Sequence, residues 1–138
     1  MDIRYPAVLE PQEPEGFLVR FVDLEDTFTE GRSREEALFN AAEVLSAMLG
    51  WRIDNDLPIP PPSARVKGAA YIAPDAKVQA ALLVRGARGD RSLAEVARAL
   101  NTSWPAAKRL EDPRHYPTLK QLERAAAALG KRLVLAFE

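Results

Sequence analysis

Carboxylates crowd one early stretch of the chain: Asp23, Glu25, Asp26, Glu30 and Glu35. Such a cluster can hold a divalent metal or present an acidic surface to a basic partner. A second group of reactive types lies late in the chain, where Ser103, Trp104, Lys108 and Arg109 fall within one short segment. Hydroxyl, aromatic and basic side chains at that spacing suit phosphate and base-edge contacts better than bond-breaking chemistry. Ser92, Arg91, Arg114 and Lys120 are further phosphate candidates nearby in sequence. The single histidine, His115, sits in "DPRHYPT" without a nucleophile motif or carboxylate partner, so it reads as a cap or a phosphate contact rather than a general base. There is no cysteine, which excludes disulfides and thiolate metal sites. No catalytic residue, metal or cofactor is expected.

The formal net charge of -1 conceals a split. Residues 1–72 hold 13 acidic and 7 basic side chains, and residues 73–138 hold 7 acidic and 12 basic. Opposite balances suggest two modules with different partners. The start "MDIRYPAVLEPQ" lacks a basic, then apolar, leader, and no apolar run reaches the ~20 residues of a membrane helix. The expectation is a cytoplasmic protein with no membrane contact.

The elements that must position these groups are legible from periodicity. Ile3, Tyr5, Ala7 and Leu9 alternate with Arg4, Pro6, Val8 and Glu10, and Phe17, Val19 and Phe21 with Leu18, Arg20 and Val22, predicting two strands. A short third strand is expected near Thr27 to Glu30, broken by Gly31. "SREE" at Ser33 has the form of a capping box and opens a helix from about Arg34 to Leu49, with Gly50 as its stop. "LPIPPPS" predicts an extended linker, and "ARVKGAAYIA" a fourth strand. One amphipathic helix on one face of a small sheet is an α+β layer. From Ala73 the pattern turns helical. "PDAKVQAALLVRGARG" is a helix, "SLAE" caps Leu93 to Leu100, "SWPAAKRL" is a short helix with Ser103 as N-cap, and "TLKQ" caps a helix to Leu129.

The segment "SLAEVARALNTSWPAAKRLED" meets the demands of a helix-turn-helix. Ala97 is small where a second helix crosses, Asn101 tolerates a left-handed turn, and Ala107 and Leu110 face the core. Trp104, Ala106, Lys108 and Arg109 are then left outward. Spacing alone fits an ordinary αα-hairpin equally well. The basic module and the helices before and after it favour DNA reading. Trp104 fits two roles, a stack on the nucleic acid and a packing staple. The chain closes on "KRLVLAFE", a strand pattern in a helical module. A lone strand leaves backbone groups unpaired, so Leu133, Val134, Leu135 and Phe137 are expected to pair with the same strand of a second copy. Two recognition helices so related would meet successive major grooves, about 34 Å apart.

The N-terminal motifs resemble the HicB family of bacterial antitoxins. Tyr5-Pro6, Gly16-Phe17, Phe21, Asp23-Leu24, Thr29, Gly31, Ser33, Glu35-Glu36-Ala37 and Ile59-Pro60 with Pro62 match the family pattern at its spacing. Val22, Glu25 and Asp26 depart from the family's proline- and glycine-bearing turn and make it more acidic. "ALGKRLVLAFE" is similar to the end of the family's helix-turn-helix variant. The resemblance implies a partial RNase H-like β-β-β-α-β fold for residues 1–72, followed by a helix-turn-helix domain over 73–138. It implies a partner, the small mRNA-cleaving HicA toxin, neutralised by the first domain. It also implies repression of the shared operon, and with the tail paired as above the second domain is expected to bind its operator as a homodimer or dimer of dimers. An acidic first domain suits an RNA-gripping partner, with Asp23, Glu25, Asp26, Glu30 and Glu35 as toxin-facing candidates. The fold invites a nuclease reading, but the carboxylates gather in a loop rather than on spaced strand positions, which argues against it. A stand-alone regulator with a ligand-sensing first domain is the competing reading.

Overall fold

The computed structural model describes residues 2–138, which divide into two compact units, 2–75 and 76–138. The fold is α+β.

The first unit is an antiparallel sheet with one helix on it. Its strands are β1 (Tyr5–Pro11), β2 (Phe17–Phe21), β3 (Phe28–Gly31) and β4 (Ala70–Ile72), in the order β3-β2-β1-β4. Ala7 opposes Phe21 and Leu9 opposes Val19, so the apolar alternation of both strands falls on one face. Arg20 and Glu10 pair on the other face, where Val8 opposes Arg20. The helix α1 (Arg34–Asp54) buries Ala37, Ala41, Leu45, Leu49 and Ile53. Leu45 and Leu49 are fully enclosed, and such burial contributes about 1.5–3 kcal/mol per side chain. Ser33 caps α1 by accepting from the Glu36 N–H at 3.1 Å. The Glu36 carboxylate accepts from the N–H of Arg32, one residue upstream of the cap, rather than closing the reciprocal box.

β3 ends at Gly31, as expected, and for a steric reason. A Cβ there would sit 2.3 Å from the backbone nitrogen of Ala37, so only glycine lets the strand meet the first turn of α1. Gly50 does not stop α1. A mid-helix glycine costs only about 1 kcal/mol, less than the burial of Ile53 beyond it returns. The helix ends at Asn55 and Asp56, where Asp56 takes a φ of 52°. Leu57 N–H then reaches the Arg52 carbonyl at 2.9 Å and Asp56 N–H the Ile53 carbonyl at 3.2 Å, a Schellman closure. The proline-rich segment is not a free linker. Tyr5 Oη donates to the Pro60 carbonyl at 2.7 Å, Arg52 Nη1 to that of Pro58 at 3.2 Å, and Ser63 N–H to Asp23 at 2.8 Å. Tyr71 Oη fastens the far end by donating to the Ser63 carbonyl at 2.8 Å.

The second unit is helical: α2 (Ala76–Arg88), α3 (Leu93–Ala99), α4 (Trp104–Arg109) and α5 (Leu119–Ala128). Its core joins Val84, Val96, Ala97, Leu100, Ala107, Leu110, Ala125 and Leu129. The strand expected at the carboxyl end is not formed within the chain: residues 131–138 are irregular, and Val134, Leu135 and Phe137 are exposed. Among the described residues of this unit no strand offers a ladder, so an apolar run alone cannot make one.

Candidate functional site

The geometry around α4 is set by three local devices. Ser92, in extended backbone, caps α3 by accepting from the Glu95 N–H at 3.1 Å. α3 ends in a left-handed residue, Asn101, with φ 53°. Thr102 N–H donates to the Ala97 carbonyl at 2.9 Å and Asn101 N–H to that of Arg98 at 3.1 Å, the two bonds of a Schellman motif. Ser103 then caps α4 by accepting from the Ala106 N–H at 3.2 Å, and Pro105 sits in the first turn, where its missing N–H leaves no bond unmade. Thr118 and Gln121 form a complete capping box at α5.

These devices turn one face of α4 inward and one outward. Ala107 and Leu110 are buried, as is Ala97 on the helix it crosses. Trp104, Lys108 and Arg109 are exposed, Trp104 by 47%. Lys108 Nζ lies 5.2 Å from the centroid of the Trp104 ring, the natural contact of residues four apart on a helix. The aromatic ring and the ammonium therefore form one outward cluster on a short helix. The hydroxyls of Ser92 and Ser103 are engaged as caps, which fixes their direction at the helix starts. Of the other phosphate candidates, Arg91, Arg114 and Lys120 are exposed, and Arg114 also meets Asp112 at 3.4 Å. His115 is half-buried in the turn before α5, its backbone N–H donating to the Asp112 carbonyl at 3.1 Å.

One pair with structural weight is absent from the sequence motifs. Arg88, at the end of α2, makes a bidentate pair with Glu111: Nε to Oε2 at 2.7 Å and Nη2 to Oε1 at 3.1 Å. Glu111 is only 8% exposed, and Arg88 also donates to the Arg91 carbonyl at 2.9 Å. The clamp ties the end of α2 to the residues just after α4, and so braces the outward cluster from behind. A charge planted beside the core residue Leu110 is the signal that could have found it.

In the first unit the acidic group divides. The Asp23 carboxylate accepts from both the N–H and the hydroxyl of Ser63, and Asp26 meets Arg52 at 3.4 Å and the Thr27 hydroxyl at 3.2 Å. Both thus help hold the 22–27 turn, which Leu24 anchors by full burial. Glu25, Glu30 and Glu35 are exposed, and the Glu30 carbonyl on the sheet edge accepts from Asn40 Nδ2 at 2.9 Å. Burial first, and the Asp23 charge second, push the Tyr5 hydroxyl up to about 12. Among the described residues no group of three or more histidine, cysteine or carboxylate side chains could hold a metal ion. No helix among them is long and apolar enough to cross a membrane.

The sheet-and-helix unit lies within the stretch of the chain that matches a known family of bacterial proteins. Residues 4–80 match the family described as the HicB_like antitoxin of bacterial toxin–antitoxin systems, and the chain belongs to that family. Among individual relatives, it is 30% identical over 139 residues to Antitoxin HicB 1 of Photorhabdus laumondii subsp. laumondii, covering 99% of this chain and 88% of that protein. Antitoxin HicB 2 of the same organism is 32% identical over 136 residues, covering 97% of this chain and 96% of the relative. Antitoxin HicB of Escherichia coli K12 is 28% identical over 137 residues, covering 98% and 99%.

Proposed function

We propose that this chain is the antitoxin of a HicBA-like pair in the cytoplasm, with residues 1–72 binding and neutralising a small HicA-like, mRNA-cleaving toxin and residues 73–138 repressing the shared operon. In this reading the first unit is a partial RNase H-like domain kept for binding, and α3 and α4 are a helix-turn-helix. Family membership supports the toxin half. The observation that carries the DNA half is the capped α4, which buries Ala107 and Leu110 while exposing Trp104, Lys108 and Arg109. Base edges would be read from its N-terminal end by Ser103 and Trp104. Lys108, Arg109, Arg91, Arg114, Lys120 and the Ser92 cap would hold phosphates. Pairing of Leu133, Val134, Leu135 and Phe137 with a second copy would supply the homodimer, or the dimer of dimers, that an inverted repeat requires.

Two experiments test the halves separately. Expression of the adjacent reading frame should arrest growth, and co-expression of this chain should restore it; a cell that stays arrested refutes the toxin half. Lys108→Ala with Arg109→Ala should weaken operator binding. It should also flatten the slope of log affinity against log salt by roughly 0.9 for each phosphate the variant ceases to touch. Binding unchanged in affinity and slope refutes the assignment of α4.

A further inference from the structure

The helix α1 buries residues at four-residue intervals and exposes the row offset from them by two: Glu35, Phe39, Glu43, Ala47 and Trp51. Two residues turn a helix by about 200°, so this row points away from the sheet. The outward face of such a helix is ordinarily polar. Here Phe39 is 66% exposed and Trp51 50%. Twelve residues separate them, about 18 Å along the axis, with Ala47 and Gly50 as small residues in the approach to Trp51. The charges on this row have one sign, with Glu35 and Glu43 exposed on it and no lysine or arginine occupying it; beside its two ends stand the exposed Arg34 and Asp54.

We propose that the outward face of α1 is the docking surface for a basic protein partner, with Phe39 and Trp51 as its two anchors. The proposal rests on the antitoxin reading, in which that partner is the toxin. Two observations select the occupant. Nucleic acid is excluded because its phosphates carry the sign of Glu35, Glu43 and Asp54. A second copy would bring the same carboxylates to face their own kind, which repels. A protein surface rich in lysine and arginine satisfies both features at once. Its cations stack on the faces of Phe39 and Trp51 and pair with Glu43 between them and Glu35 before them. Exposed aromatics of this kind, ringed by charge, are the residues that dominate interface affinity.

The test is calorimetric titration of the full-length chain with the protein encoded beside it. The parent chain must bind; a parent that does not bind refutes the antitoxin reading itself. Phe39→Ser with Trp51→Ser, judged folded by an unchanged far-ultraviolet spectrum, should bind about thirty-fold more weakly or worse. Glu35→Lys with Glu43→Lys, a pair that leaves both aromatics in place, should weaken binding and reduce its salt dependence. If the parent binds and both variants match it, the docking surface lies elsewhere and the proposal falls while the antitoxin reading stands. If the aromatic variant sediments as a smaller species than the parent and still binds with full affinity, the face joins copies of this chain and the proposal is likewise overturned.

Discussion

Asn101 is the residue on which the placement of α4 turns, and its contribution can be worked out. With φ 53° it occupies the left-handed region, where an ordinary L-residue pays roughly 1–2 kcal/mol that glycine does not, and asparagine pays least among the rest. Its side chain is exposed, so substitution leaves the core intact. The two Schellman bonds use backbone groups and survive any replacement that keeps the conformation. Asn101→Gly should therefore stay within about 0.5 kcal/mol of the parent. Asn101→Val, whose branched Cβ fits that region worst, should cost about 2 kcal/mol. For a unit of this size that is a fall of roughly 8–16 °C in its midpoint. The assay follows from composition: each unit holds one tryptophan, Trp51 in the first and Trp104 in the second. In a Trp51→Phe background the remaining emission reports the second unit alone, from a ring three residues past the turn. If Asn101→Val melts with the parent, the turn is not left-handed, and the outward face assigned to α4 is wrong.

Other consequences are as definite. Gly31→Ala should destabilise the first unit by about 2–4 kcal/mol, because its Cβ must displace backbone at Ala37; urea unfolding followed by Trp51 emission measures it. Glu111→Ala should cost about 2–3 kcal/mol by removing the carboxylate that balances the Arg88 charge, whereas Arg88→Met with Glu111→Met should recover most of that stability in the same melt. Tyr5 holds its proton in the folded state to about pH 12, above the ordinary 10, so its contribution is complete below pH 10 and is lost as pH rises through 12. Alkaline unfolding scans of Tyr5→Phe should accordingly fall less between pH 10 and 12 than those of the parent, and equal slopes would deny the shift. Deleting residues 132–138 should abolish dimers in a sedimentation experiment, and a truncated chain that remains dimeric would exclude the tail as the joint.

What could be read in the sequence is what neighbours in sequence decide. Ser33, Ser92, Ser103 and Thr118 each cap a helix because the N–H they satisfy lies three residues on. Asn101 is left-handed because the chain must reverse between Ala97 and Ala107, two small residues that both belong to the core. The features that escaped depend on residues far apart. Asp23 and Asp26 look like free acidic surface until Ser63, forty residues beyond Asp23, and Arg52 arrive to engage them. Arg88 and Glu111 carry no local sign of each other across twenty-three residues. Gly50 reads as a helix stop because glycine's cost is local, while the burial of Ile53 that outweighs it comes from the rest of the unit.

The tail is the sharpest case. The apolar run in "RLVLAFE" suits a strand, yet a strand also needs a neighbour to accept and donate along its edge. Among the described residues of the second unit no such neighbour exists, and the segment stays irregular with Phe137 wholly in solvent. Beside it lies an apolar groove of about 310 Å³ lined by Leu83, Val84, Leu122 and Leu129 along with Leu133 and Val134 of the tail itself. An apolar groove and an aromatic left in water on the same tail make a poor end state for a monomer, because both surfaces gain by being covered. In the proposed dimer two copies would cover them reciprocally, each tail supplying the ladder and apolar side chains the other lacks, and a two-fold of that kind would also pair the α4 helices for a symmetric operator. Leu135→Asp with Phe137→Asp should therefore separate the copies and lower operator affinity together, while leaving the melt of each unit where it was. Dimers abolished with operator affinity intact would break the link between the tail and DNA reading.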